Sequence, residues 1–280
     1  MPERALRTRI TELAVGAAWI LGLRAALQLL AFFLGSAELA QAAVGALVVD
    51  LAAGRAGVAW TIDSPERDEL VRRVLRGAAV TIGVALASIA LCAMFGFLVV
   101  QRGAPDGVVV LSLLALGAAA IRDELLFRAL PLHFAARAGV PRGYAMGFAA
   151  LLSATPFLIG GASLANVALA AGSGLLFASI YLHLRGVWPA VIAHVLWSIC
   201  IGPVTKGLVF EASWTGSGEI AEGAAAAGAP AFIAAGLALA AALVIVPRLA
   251  PAPVVVEPEI APPPRKKEAQ TQGRANRREP

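Results

Sequence analysis

Residues 77–100, GAAVTIGVALASIALCAMFGFLVV, hold no charged side chain. A helix of about 20 apolar residues crosses the ~30 Å hydrocarbon layer of a bilayer, where backbone N–H and C=O groups must be satisfied within the helix itself. The stretch therefore reads as a membrane span. Comparable runs lie at 13–35, 39–60, 108–128, 144–160, 164–184, 187–204 and 229–247, so that a chain of 280 residues retains little sequence for an extramembrane domain. Composition agrees: 59% of residues are apolar and 15% charged, against roughly 25% charged in a soluble domain. The expected fold is all-α, a polytopic transmembrane helix bundle of about eight spans.

Charge placement sets the expected topology. The net charge of +5 resides in short terminal and connecting segments, which fits the positive-inside rule and argues against a nucleic-acid partner. With both termini cytoplasmic, the inner connections carry Arg67, Arg72, Arg73, Arg76, Arg137, Arg142, Arg185 and Arg248. The outer ones carry only Arg102 and Lys206, beside Glu38, Asp106, Glu211, Glu219 and Glu222. On this reading residues 1–107 supply about three spans and a charged inner loop, and 108–204 form a core. Residues 205–248 give an outer loop and the last span, and 249–280 a proline-rich, basic, disordered tail with affinity for anionic lipid. The run at 13–35 exceeds the apolar core of a signal peptide and is read as an uncleaved span.

Three charges interrupt the first two runs: Arg24, Asp50 and Arg55. Each costs about 2.5–3.5 kcal/mol at a helix centre on insertion scales, so a partner is expected, and Arg24 with Asp50 is the natural pairing. Residues 39–60 either span the membrane or pack at its interface. Cys92 and Cys200 lie in apolar runs without metal or redox spacing and read as packing residues. Ser153 and Thr155 are read as bonding within a helix that Pro156 bends.

The chemistry-bearing residues fall in two places. In RDELLFRAL (122–130), Glu124 and Arg128 are four apart and share a helix face, where they can pair. In GVWPAVIAHVLWSIC (186–200), His194 lies inside an apolar span. Taken singly, one is a membrane-boundary ion pair and the other a helix-packing histidine. At ~1.5 Å per residue the two stretches can reach comparable depth, which would let carboxylate and imidazole meet.

Together these residues resemble the CPBP group of intramembrane proteases, which includes the CAAX prenyl proteases and bacterial relatives linked to bacteriocin processing or self-immunity (Abi-like). The resemblance covers about residues 108–200: DELLFRA, a span rich in glycine and alanine, then YLHLRGVWPAVIAHVLWS. The family pattern EExxxR falls on Asp123, Glu124 and Arg128, with aspartate in the first place. HxxxN/D falls on His194 and Ser198, and FxxxH on Phe157 and Gly161, where glycine replaces the histidine.

The resemblance implies a glutamate-activated water. Glu124 would be the general base, Asp123 and Arg128 its electrostatic partners, His194 the group orienting water or metal, and Ser198 the donor to the substrate carbonyl. A divalent metal such as zinc would fall to His194 and Glu124, one ligand short of the usual three protein ligands. His133 and His183 are the remaining histidines and read as interfacial.

Two functions follow from this resemblance. One is an intramembrane endopeptidase that cuts membrane-associated or lipid-modified protein segments near the inner face. The other, resting on Gly161, is an inactive relative serving as a membrane binding, immunity or scaffold protein. Both place the chain in a membrane, the bacterial cell (inner) membrane, with lipids and a membrane-associated protein as partners.

Overall fold

The computed structural model describes residues 2–102, 108–201, 210–214 and 228–250. The chain is built of helices: α1 Pro2–Leu34, α2 Glu38–Arg55, α3 Arg67–Met94, α4 Val108–Glu124, α5 Leu130–Arg137, α6 Arg142–Ile159, α7 Leu164–His183, α8 Val187–Ile201 and α9 Ala229–Ala240. A π-helical turn, Leu125–Ala129, joins α4 to α5 without a break, and a second, Ala241–Ile245, extends α9. Each expected span falls on a helix. Among the described residues four helical segments are long and apolar enough to cross a membrane: Arg7–Leu34, Arg67–Met94, Leu164–His183 and Ala229–Leu249. Val187–Ile201 is a shorter apolar helix.

The all-α expectation holds for the bundle, and one span boundary is corrected. The third span does not run to residue 100: α3 stops at Met94, Gly96 turns the chain at φ +75, and β1 (Leu98–Arg102) pairs antiparallel with β2 (Phe210–Trp214). The β-branched pair Val99–Val100 favours this extended backbone over another helical turn. The loop residues Asp106, Lys206, Glu219 and Glu222 and the tail from Pro251 lie outside the described residues.

Connections expected on one side of the bilayer touch each other. At the arginine-rich end, Val187 N–H donates to the Trp60 carbonyl at 2.8 Å, and the Trp60 ring packs on Trp188 at 4.6 Å between centroids. Arg137 meets Glu12 at 2.7 Å, and Arg76 donates to the Leu249 carbonyl at 3.3 Å. The β1–β2 ribbon joins two connections of the opposite set. Each of these contacts joins connections that the charge pattern assigns to one side.

Asp63 ties the arginine-rich end together, accepting from Arg73 at 2.6 and 3.0 Å and from Arg185 at 3.2 Å. The hydrogen bond from Arg73, reinforced by Arg185, holds the Asp63 carboxyl below the usual aspartate range.

Close helix packing rests on glycine, as expected where lipid supplies no drive between helices. A Cβ on Gly172 would come within 2.7 Å of the Ala235 carbonyl oxygen, and one on Gly174 within 2.8 Å of Ser153. These contacts set α7 against α9 and α6. Ser153 and Thr155 hydroxyls donate to carbonyls one turn back in α6, at 2.8 and 2.9 Å. Both cysteines are free.

The Arg24–Asp50 pairing does not form. Asp50 accepts from the Trp60 indole N–H at 2.8 Å, a hydrogen bond across ten residues that also fixes the loop after α2. Arg24 instead lines a cavity.

Candidate active site

Helices α4 and α8 meet inside the bundle. Residues Glu124 on α4 and His194 on α8, 70 positions apart, meet with His194 Nδ1 2.8 Å from Glu124 Oε1. A carboxylate only accepts, so Nδ1 is the donor in this contact and Nε2 is the ring nitrogen that Glu124 leaves unengaged. Arg128, one turn on from Glu124, places Nη1 3.2 Å from the same oxygen. Glu124 is 1% exposed and Arg128 4%, so both charges are withdrawn from solvent and neutralise each other. Glu124 Oε2 and Arg128 Nε are buried with no hydrogen bond among the described residues.

Backbone geometry assists this arrangement. The π-helical turn at Leu125–Ala129 widens the helix beside Glu124, and Arg128 Nη1 reaches back to the Asp123 carbonyl at 3.3 Å. Single π turns inside α-helices occur frequently at functional sites. Phe177 of α7 completes the packing: its ring stacks on His194 at 4.7 Å with an interplanar angle of 17°, and the Arg128 guanidinium lies 5.4 Å from its centroid. His194 is thereby fixed by a hydrogen bond on one edge and by stacking on its face.

A cavity of ≈ 580 Å³ opens beside this cluster. Asp123, Arg128, His194 and Ser198 line it, whereas Glu124 does not. Of the adjacent acids, Asp123 is the one in the cavity wall, and Glu124, expected to face the reacting water, is 1% exposed and held by His194 and Arg128. Asp123 is 23% exposed and accepts from its neighbour Arg122 at 2.7 Å.

Further lining residues include Arg24 and Gln28 of α1, Ser153 and Phe157 of α6, and Asn166 and Ser173 of α7. These belong to the halves of their helices nearer the β1–β2 ribbon, and Asp123 lies midway along the continuous 108–137 helical rod. This part of the cavity runs from mid-bundle towards the ribbon side, while Phe127, Arg128 and Phe177 line it on the other side of Asp123.

Gly161 is not in the cavity wall. Helix α6 ends at Ile159, and Gly161 sits in the exposed turn to α7 at φ +70, with its N–H bonded to Leu158 O and that of Ala162 to Phe157 O. This is a helix-terminating glycine in the left-handed region, where a residue with a Cβ is strained. Phe157 does line the cavity, but the position four residues on has left the helix, so shared periodicity no longer applies.

His133 on α5 lies near Gly57 and edge-on to Phe134. His183 bonds to Ser179 in the last turn of α7. Neither lines the cavity. The sequence reading overlooked Arg122, Asn166, Ser173 and Phe177. Arg122 adjoins the acid pair and carried a signal, whereas the others are isolated residues in an apolar helix.

The donor set does not fit a zinc centre. Among the described residues no three His, Cys, Asp or Glu side chains converge. His194 Nδ1 and Glu124 Oε1 are engaged with each other, and one carboxylate and one imidazole nitrogen in the wall fall short of three protein ligands.

Fold and site define a class: a helical integral membrane protein with a carboxylate–imidazole cluster beside a cavity inside the bundle. Residues 105–200 match the family described as Rce1-like, type II CAAX prenyl endopeptidase. The match bears out the resemblance read from the sequence and supports the CPBP/CAAX protease family, hence, at family level, a CAAX-protease-like membrane endopeptidase. No curated protein and no solved structure matches the chain.

Proposed function

We propose that the chain is an active intramembrane endopeptidase that hydrolyses a peptide bond of a membrane-associated or lipid-modified protein segment entering the cavity. The observation that carries this reading is the 2.8 Å contact between Glu124 and His194 at the cavity edge. The imidazole so held also lines the cavity, within reach of a guest.

The roles follow from reach. A general base must touch the water it deprotonates, which favours Asp123 in the wall over Glu124 behind it. Glu124 and Arg128 position His194. His194 Nε2 accepts a hydrogen bond from the water, and Asp123 takes the water's proton as its oxygen attacks the scissile carbonyl. The Ser198 hydroxyl donates to the developing oxyanion. The C–N bond then breaks, Asp123 returns the proton to the leaving amine, and a carboxylic acid and an amine result, which exchange the remaining proton to leave as carboxylate and ammonium.

The inactive-relative reading rested on Gly161, and that residue's place in an exposed turn removes its link to the cavity. The test is to reconstitute the purified protein in nanodiscs with prenylated and unmodified membrane-anchored peptides, and to look for new termini by mass spectrometry. Cleavage by wild type that is lost in His194→Ala is the expected result. No cleavage of any peptide by wild type overturns the proposal.

A further inference from the structure

Arg24 lies deep in the apolar part of the first helix, and it has no counter-charge among the described residues. It is half-buried in the apolar segment Arg7–Leu34, yet forms no ion pair or hydrogen bond among the described residues. The nearby acids are engaged: Asp50 accepts from Trp60, and Asp123 from Arg122. Arg24 lines the cavity that Asp123 and His194 also line. Gln28, one helical turn on, lines the same wall, so α1 offers two hydrogen-bond donors on one face.

A cation retained in an apolar segment without a partner is costly, and such residues face a functional interior. The cost is removed when an anion enters. Arg presents a rigid fork that matches a carboxylate or a phosphate bidentately, and the anion that an unmodified peptide brings is a carboxylate.

We infer that Arg24, with Gln28, forms a carboxylate-binding subsite that fixes an acidic group of the peptide in the cavity, so that the first helix selects the substrate cut by residues of α4 and α8. This rests on the proposed peptidase reading for its purpose, but not for its detection, because binding is measured without turnover. A peptide supplies a carboxylate either at its C-terminus or on an Asp or Glu side chain. Both sources share this chemistry, and three probes separate them.

Full-length protein in nanodiscs of zwitterionic lipid is titrated with a fluorescein-labelled apolar decapeptide in three forms: free C-terminal acid, C-terminal amide, and the amide with one internal glutamate. Fluorescence anisotropy reports Kd. Wild type is expected to bind at least one acidic form about tenfold more tightly than the neutral amide. The free acid winning identifies a chain terminus, and the glutamate form a side chain.

Arg24→Gln is expected to erase the preference, Arg24→Lys to keep part of it, and the exposed control Arg55→Gln to keep all of it. Equal affinity of wild type for the three forms, no binding of any, or an undiminished preference in Arg24→Gln overturns the inference. If Arg24→Gln does not fold, the wild-type comparison alone decides. Acid preference without cleavage would remove the peptidase and keep the subsite; cleavage without preference would do the reverse.

Discussion

His194 Nδ1 stands 2.8 Å from Glu124 Oε1, and the same oxygen lies 3.2 Å from Arg128. One buried carboxylate oxygen thus serves an imidazole and a guanidinium, and α4 is joined to α8 through it.

Removing that carboxylate leaves Arg128 as a buried charge without a counter-ion. Truncating one member of a buried pair costs about 3–5 kcal/mol. Glu124→Ala is therefore expected to lower the thermal unfolding midpoint in detergent markedly, and Glu124→Gln, which keeps one acceptor oxygen, to lower it less. Equal midpoints for Glu124→Ala and wild type would contradict the buried-pair assignment.

Gly161→His restores the residue type of the family pattern, but it is expected to add no hydrolytic activity. The position is an exposed turn at φ +70, outside the cavity wall, and a side chain there costs about 1–2 kcal/mol in the left-handed region. Cleavage rate and unfolding midpoint of the variant check both halves of the expectation.

The Asp63 clamp gives a pH dependence of definite sign. Its folded pKa is depressed, chiefly by the Arg73 hydrogen bond, so its contribution is present above the ordinary aspartate value of about 3.9 and fades as pH falls through the lower folded value. The difference in unfolding midpoint between wild type and Asp63→Asn should be constant from neutral pH down to about 4, then close. A difference that grows on acidification would contradict the sign.

Much of the fold was legible because membrane insertion writes hydrophobicity and arginine placement directly into the sequence. DELLFRA and VIAHVLWS were legible because acid, base and histidine are rare inside apolar helices. The ribbon was hidden because Leu98–Val100 are as apolar as the span before them; only Gly96 marked the turn. Which of two adjacent acids faces the cavity depends on helix rotation and a π turn, neither encoded in spacing. Arg24 was visible as an anomaly, but its surroundings depend on where Trp60 folds back to meet Asp50.

Helix α7 meets α9 through Gly172, where a Cβ would lie 2.7 Å from the Ala235 carbonyl. Gly172→Val is expected to force the helices apart at a cost of about 1–3 kcal/mol, while Gly143→Ala, with open space around it, should leave the midpoint unchanged. Thermal unfolding in detergent checks the contrast.

The central claim is that Asp123 and His194 act together on a water in the cavity. Its most direct measurement is the single-turnover cleavage rate of a membrane-anchored peptide by Asp123→Asn, set beside its unfolding midpoint. The account predicts a loss of at least about 10²-fold in rate with the midpoint unchanged. A wild-type rate in Asp123→Asn would contradict it.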